Sequence, residues 1–94
     1  MEQIAADLRR LLWQHDTLMR SMDGAARARR MWALEAAITD RGTQAAQALG
    51  VPHPERPARG GYDKPQLRRL LRALAAEGLV LPPAVGLLGS DSPF

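Results

Sequence analysis

The chain has 94 residues, no cysteine and a formal net charge of +3, from 13 basic and 10 acidic residues. This length is typical of one small domain, and the lack of cysteine excludes disulfides, thiolate metal sites and thiol catalysis from it. The charge permits nucleic-acid binding without requiring it. Arg outnumbers Lys by twelve to one, which indicates either a GC-rich bacterial or phage genome or selection for bidentate contacts to phosphate and carboxylate groups.

Hydropathy along the chain argues against a membrane protein. No apolar run approaches the roughly 20 residues that are needed to span a bilayer, and the first residues lack the basic start of a signal peptide. We therefore expect an intracellular, cytoplasmic protein without membrane contact. Leu, Ile, Val and Phe together number only 20, close to the lower limit for a folded globular chain, so the helices should form readily but pack thinly.

The first predicted element is an amphipathic helix over residues 3–22. Trp13 projects away from its apolar face, on the side that carries Arg9 and Arg20, and an exposed Trp ringed by Arg is typical of a binding hot spot. The alternatives are that the tail or the third helix covers Trp13 within the same chain, or that the Trp only makes cation–π contacts. The apolar face has residues at spacings of three and four: Ile4, Leu8, Leu11, Leu12, His15, Leu18, Met19 and Met22.

The pattern of the first helix stops at residues 21–24. Gly24 weakens a helix interior, and Asp23 can cap a following helix. Continuing the heptad would place Arg29 in a core position. The sequence therefore favours an antiparallel helical hairpin over residues 1–50 rather than one continuous helix.

Residues 24–49 are predicted to form a second helix with two apolar or small-residue faces. Such a helix needs two neighbours, and the rest of the chain is short of material to supply both, which indicates that a partner protein or a second copy completes the structure. Gly42 can kink or break the helix, and Gly50 followed by Val51 is a stop signal. The first face contains Met31, Leu34, Ile38, Ala45 and Leu49, and the second contains Ala25, Ala28, Trp32, Ala36, Thr39 and Thr43.

The C-terminal half is predicted to contain one further helix. A Pro- and Gly-rich loop over residues 51–62 precedes it. The helix over residues 63–78 has Asp63 as its N-cap, with Gln66 completing a capping box. Gly78 is expected to terminate this helix in the left-handed conformation.

The remaining residues, 79–94, form an apolar tail that is rich in Pro and Gly. Solvated disordered tails are usually polar and charged, so this tail is expected to take an extended path against the hairpin or against another chain. The complete prediction is an all-α fold, with one small domain over residues 1–94 that consists of a helical hairpin, a Pro-rich loop, a short third helix and an extended apolar tail.

Six residues are predicted to form an interface with a partner protein or with a second copy. Trp32 lies on a strip of Ala and Thr, where it is either a core residue under the third helix or part of an oligomer seam. The six residues are Trp13, Trp32, Arg9, Arg20, Leu87 and Leu88.

Basic residues near the start of the second helix are a candidate anion contact. Arg27 and Arg30 lie where the helix macrodipole disfavours cations, so an anion is expected to compensate. Asp23 is the local candidate, and a phosphate or an acidic partner is the alternative.

A second basic cluster follows one side of the third helix: Lys64, Arg68, Arg69 and Arg72. The segment LRRLLRALAAEGLV, residues 67–80, resembles the recognition helix and following turn of winged-helix regulators. That resemblance implies a two-stranded wing, but Pro82-Pro83 and a Gly-rich tail follow here instead. Without Asn, Ser or Thr among the outward positions, at most weak and non-specific DNA binding is expected.

No arrangement typical of catalysis is found in the sequence. His15 lies in an apolar stripe, where a hydrogen-bonded residue at the edge of the core is expected, and His53 lies exposed between two prolines, so the pair is a poor metal site. The serines lack His and Asp support, and there is no phosphate-binding glycine loop. We therefore predict no enzyme, no metal or other cofactor and no small-molecule substrate.

The leading hypothesis is a non-enzymatic protein–protein interaction module, such as an accessory or assembly subunit or a modulator, that docks on a larger protein or self-associates. The alternative is a small DNA-binding regulator, or an antitoxin-like protein, that uses the basic face of the third helix.

Overall fold

The computed structural model describes residues 1–21 and 24–82, and these contain three α-helices. Helix α1 spans Glu2–Ser21, α2 spans Gly24–Leu49 and α3 spans Lys64–Ala76, and no strand occurs within the described residues. Helices α1 and α2 pack together as a hairpin, and α3 packs on α2. The predicted all-α class and the hairpin with a third helix are confirmed, and the single continuous helix is excluded.

Helix α2 lies at the centre because neighbours from the same chain pack on both of its apolar faces. Helix α1 lies antiparallel on one face, and α3 with the preceding loop packs on the other. The expectation that the chain lacks material for a second neighbour is therefore wrong for the C-terminal half of α2. The fully buried aliphatic side chains come from all three helices: Leu8, Leu12, Ile38, Leu67, Leu71 and Leu74.

Helix α2 continues through Gly42 without a break, contrary to one expectation from the helix propensity of glycine. A Cβ atom at position 42 would lie 2.8 Å from Cδ2 of Leu70, so the absence of a side chain makes room for a leucine of α3. Leu70 is 4% exposed as a result. The unfavourable helix propensity of Gly42 is thus offset by packing between α2 and α3.

The loop between α2 and α3 lies directly on α2 at Gly61. A Cβ atom there would lie 2.5 Å from Oγ1 of Thr39 and 2.6 Å from the carbonyl oxygen of Glu35. The next residue, Tyr62, donates its backbone N–H to Oγ1 of Thr39 at 2.9 Å, and this hydroxyl in turn donates to the carbonyl of Glu35 at 2.8 Å. The buried hydroxyl of Thr39 therefore anchors the loop to α2.

The side chain of Tyr62 orders the preceding part of the loop. It is 3% exposed, and its hydroxyl donates to the carbonyl of Pro54 and lies 3.4 Å from Nδ1 of His53. His53, expected in an exposed position, is therefore half-buried. Burial raises the pKa of Tyr62 above its usual value of 10.0, and the charge of Arg56 opposes this effect. The fold thus favours the neutral phenol, and this contribution is lost as the pH rises through the raised pKa.

Thr39→Val tests the loop anchor, because valine resembles threonine in shape but cannot accept the N–H of Tyr62. We expect the free energy of unfolding to fall by about 1–2 kcal/mol, since a buried backbone donor is left unpaired. Thr43→Val is the matched control: Thr43 is also buried, but its hydroxyl donates only to the carbonyl of Asp40 within α2, so its loss should be nearly neutral. Urea unfolding followed by circular dichroism measures both variants, and equal losses would contradict the anchor.

Helix α3 begins and ends at the predicted signals. The carboxylate of Asp63 accepts from the N–H of Gln66 at 2.8 Å, and the side-chain oxygen of Gln66 accepts from the N–H of Asp63 at 3.0 Å. Gly78 has a φ of 101°, and the N–H of Leu79 donates to the carbonyl of Leu74 at 3.1 Å. The capping box and the left-handed terminator are therefore confirmed.

A buried carboxylate joins α1 to α2, which the hydrophobic pattern does not predict. Asp7 is 8% exposed, and its oxygens lie 3.2 Å from Nε of Arg41 and 3.5 Å from Nη1 of Arg10. Arg41 also contacts Asp40 at 3.3 Å, and Asp40 pairs with Arg56 of the loop at 2.9 Å. One polar network thus connects both helices of the hairpin with the loop.

The start of the C-terminal tail lies along α1. The carbonyl oxygen of Val80 accepts from Nη1 of Arg9 at 3.2 Å, and the leucines on either side of Val80 pack half-buried against the core. The described chain ends at Pro82. The rest of the predicted extended tail, including the candidate interface residues Leu87 and Leu88, lies outside the described residues.

Candidate docking surface

At the end of the hairpin where α1 ends and α2 begins, the structure consists mainly of these two helices. The loop before α3 meets α2 at Glu35 and Thr39, and α3 then passes Gly42 towards the C-terminal end of α2. Helix α2 before Glu35 therefore has α1 as its main neighbour. Both tryptophans lie on this two-helix end, where 63% of Trp13 and 60% of Trp32 are exposed.

One face of this end carries an open depression of about 670 Å³, here called the Trp13 groove. Most of its lining is apolar or uncharged, and its one charged residue is the exposed Arg30. The groove therefore combines an exposed indole, aliphatic surface and a cation. Helix α1 contributes Trp13, Gln14, Thr17 and Leu18, and α2 contributes Arg30, Ala33 and Leu34.

A smaller depression of about 410 Å³, here called the Trp32 groove, shares no lining residue with the Trp13 groove. The residues that line the two grooves occupy different sides of both helices, so the grooves lie on opposite faces of the two-helix end. The lining residues are Met19 from α1, Lys64 from α3, and Arg27, Ala28, Met31, Trp32 and Glu35 from α2.

Trp32 is not a core residue under α3, and this interpretation of the sequence is wrong. The loop meets α2 at Gly61, beside Glu35 and Thr39, and Trp32 remains 60% exposed outside the core. The indole packs instead against the turn at Gly60, where a Cβ atom would lie 2.9 Å from Nε1 of Trp32. Gly60 has a φ of 69°, so both the backbone conformation and the contact favour glycine.

A buried hydrogen bond crosses the hairpin beside the Trp32 groove. His15 is fully buried, and its Nε2 lies 3.1 Å from Oε2 of Glu35, whose side chain is 18% exposed. An ionised carboxylate only accepts, so Nε2 of His15 is the donor in this hydrogen bond. No described residue provides a partner for Nδ1. The prediction that His15 is hydrogen-bonded is confirmed, although it lies inside the core rather than at its edge.

The arginines near the end of α1 and the start of α2 also make contacts within the chain. Arg20 pairs with Asp16 at 3.0 Å, and 68% of its side chain remains exposed. Arg27 donates to the carbonyl of Met19 at 3.4 Å, which is one of the last carbonyls of α1 and has no partner within that helix. The cation thus lies at the C-terminal end of α1, where the macrodipole favours positive charge. Asp23, the local candidate partner of Arg27, lies outside the described residues.

The basic stripe of α3 faces away from the core. Lys64, Arg69 and Arg72 are exposed and Arg68 is half-buried, whereas the four leucines of α3 are at most 4% exposed. Lys64 also lines the Trp32 groove, so the stripe begins at that groove. DNA contact through the stripe stays a prediction, and the residues after Pro82 that would form a wing lie outside the described residues.

Sequence reasoning did not identify the α2 side of the Trp13 groove. Hydrophobic periodicity assigns Leu34 to the buried face and leaves Ala33 unassigned, because it does not distinguish a buried position from one that lines an open groove. Which residues of α2 lie opposite Trp13 depends on the register between the two helices. The spacing within either helix carries no information about that register.

Within residues 1–21 and 24–82, no group of three His, Cys, Asp or Glu side chains could hold a metal ion. None of the helices described is both long and apolar enough to cross a membrane. No protein-family model matches the chain, and comparisons with curated proteins and with solved structures give no match. A proposal for the function must therefore be based on the two grooves and on the charged residues around them.

Proposed function

We propose that the protein is a non-enzymatic protein–protein interaction module that docks on a larger protein through the Trp13 groove. The observation that carries this proposal is the 63% exposure of Trp13 beside a largely apolar groove. Exposed Trp side chains that can insert between partner residues are frequent interface hot spots. A groove between two helices suits an amphipathic helix of the partner, whose apolar face would lie in the groove.

The charges around the groove favour an acidic partner over a second copy of the chain. Arg30 lines the groove, and Arg10, 62% exposed, lies one turn before Trp13 on the groove side of α1. A twofold-symmetric dimer through this face would bring like charges towards one another, which costs free energy. Acidic residues beside the apolar face of a partner helix would instead pair with these cations.

We expect Trp13→Ala to weaken the partner complex by more than about 1–2 kcal/mol. Helix content should stay nearly unchanged, because Trp13 lies outside the buried core. Trp32→Ala is the matched control, since it removes an equally large and similarly exposed ring from the opposite face. A partner captured from a lysate and then purified allows calorimetric titration of the parent chain and of both variants.

Equal losses of affinity in the two alanine variants would contradict the assignment to the Trp13 groove. A collapse of helicity in Trp13→Ala would show that Trp13 supports the fold rather than a complex. A chain that binds duplex DNA tightly and loses that binding in Arg69→Glu/Arg72→Glu would replace this proposal with the DNA-binding alternative.

A further inference from the structure

We propose that residues 83–94 of the same chain occupy the Trp13 groove when no partner is bound, so that a partner must displace them. This inference rests on the proposed function, since it concerns the same groove. It assigns to the apolar tail a role as an intramolecular competitor of the partner. Three properties of the chain support this role: the place where the described chain ends, the length of the remaining residues, and their composition.

The described chain ends beside α1, at a residue on the same side of that helix as Trp13. The carbonyl of Val80 accepts from Nη1 of Arg9 at 3.2 Å, and Arg9 precedes Trp13 by four residues on the same side of α1. Four residues of helix rise by about 6 Å. Pro82, the last described residue, follows Val80 by two positions, so the tail starts beside the helix that carries Trp13.

The tail is long enough to pass over Trp13 and lie in the groove. Residues 83–94 number twelve, and twelve extended residues span up to about 40 Å. The whole of α1, with 20 residues, is only about 30 Å long. The length of the tail is therefore sufficient for this arrangement.

The composition of the tail complements the groove. Residues 83–94 contain no Lys or Arg and a single acidic residue, Asp91, whereas the cations beside the groove are Arg10 and Arg30. An apolar segment with a negative charge is also what the groove favours in a partner, so tail and partner would compete for one surface. The large apolar side chains of the tail are Val85, Leu87, Leu88 and Phe94.

Fluorescence of Trp13 tests the inference in the purified full chain. Trp32→Phe leaves Trp13 as the only Trp, and in this background Leu87→Asp/Leu88→Asp should uncover the indole. We expect a red-shifted emission and an acrylamide quenching constant that rises about two-fold, because covering one face of the ring roughly halves the accessible surface. Ser90→Asp/Ser92→Asp is the matched control, since it adds the same charge to the tail and keeps both leucines.

Identical emission and quenching in the parent, the leucine variant and the control would overturn the inference. A difference that grows with protein concentration would assign the covering to the tail of another copy, and would overturn it as well. Both results are obtained without the partner, so neither of them would contradict the proposed function. With the partner present, the leucine variant should bind more tightly than the control, because no part of the binding free energy is spent on displacing the tail.

Introduced cysteines give an independent measurement, because the natural chain has none. Gln14 is exposed and lines the Trp13 groove. In dilute solution, Gln14→Cys with Leu88→Cys should form an intramolecular disulfide about ten-fold faster than Arg69→Cys with Leu88→Cys, because docking raises the local concentration of the thiol. Equal rates for the groove pair and the α3 pair would overturn the inference.

Discussion

Gly61→Ala is expected to lower the free energy of unfolding by about 3 kcal/mol or more, because the new methyl group would overlap with the backbone of α2. A Cβ atom at position 61 would lie 2.6 Å from the carbonyl oxygen of Glu35 and 2.9 Å from Cα of Ala36. A helix backbone cannot move aside as a flexible side chain can. The loop must therefore lift away from α2, and the hydrogen bond from Tyr62 to Thr39 is then lost.

Gly50→Ala separates this overlap from the general cost of replacing a loop glycine. Gly50 has a φ of 73°, and a Cβ atom added there would have no neighbouring atom within 4 Å. Its replacement therefore costs only the left-handed backbone conformation, about 1–2 kcal/mol. Urea unfolding of both variants, followed by circular dichroism at the helix band, measures the difference. Losses of the same size would show that the close approach of Gly61 to α2 is unimportant for stability.

Glu35→Ala is expected to lower the free energy of unfolding by about 2–3 kcal/mol, because the buried imidazole of His15 loses its hydrogen-bond acceptor. Asp16→Ala is a closely matched control. Both carboxylates have 18% exposed side chains, but Asp16 pairs with Arg20, whose side chain is 68% exposed. Water can replace Asp16 as a partner of Arg20, so Asp16→Ala should lower the free energy of unfolding by at most about 1 kcal/mol.

Glu35→Gln distinguishes a lost hydrogen bond from lost packing. Glutamine keeps an acceptor oxygen and almost the same shape, so it should retain most of the stability that Glu35→Ala removes. Chemical unfolding at neutral pH measures the free energy of unfolding of Glu35→Ala, Glu35→Gln and Asp16→Ala. If glutamine and alanine prove equally costly, the contribution of Glu35 lies in its charge rather than in the acceptor that it offers to His15.

The features that the sequence predicts correctly depend on residues close to one another in the chain. Asp63 and Gln66 form the capping box at the start of α3 across three positions, and Gly50 and Gly78 end helices through bonds within a single turn. The exposure of Trp13 also follows from local spacing, because it lies opposite the apolar stripe of its own helix. Such signals need no knowledge of how the helices pack.

The features that the sequence does not predict depend on contacts between distant segments. The bond from Tyr62 to Thr39 joins residues 23 positions apart, and it determines where α3 lies along α2. The exposure of Trp32 is a consequence of that placement, which is why its helical face alone suggests a core position. The buried Asp7 depends in the same way on Arg41 of the neighbouring helix.

The two-helix end of the hairpin separates the residues that hold the fold from those that line the Trp13 groove. The fully buried leucines and Ile38 lie where three helices meet, whereas Gln14, Arg30 and Ala33 are exposed on the thinner end. Natural proteins tolerate only small losses of stability. Substitutions at exposed positions such as these should cost little stability, so during evolution the surface of the thinner end could change through many single steps while every intermediate still folds.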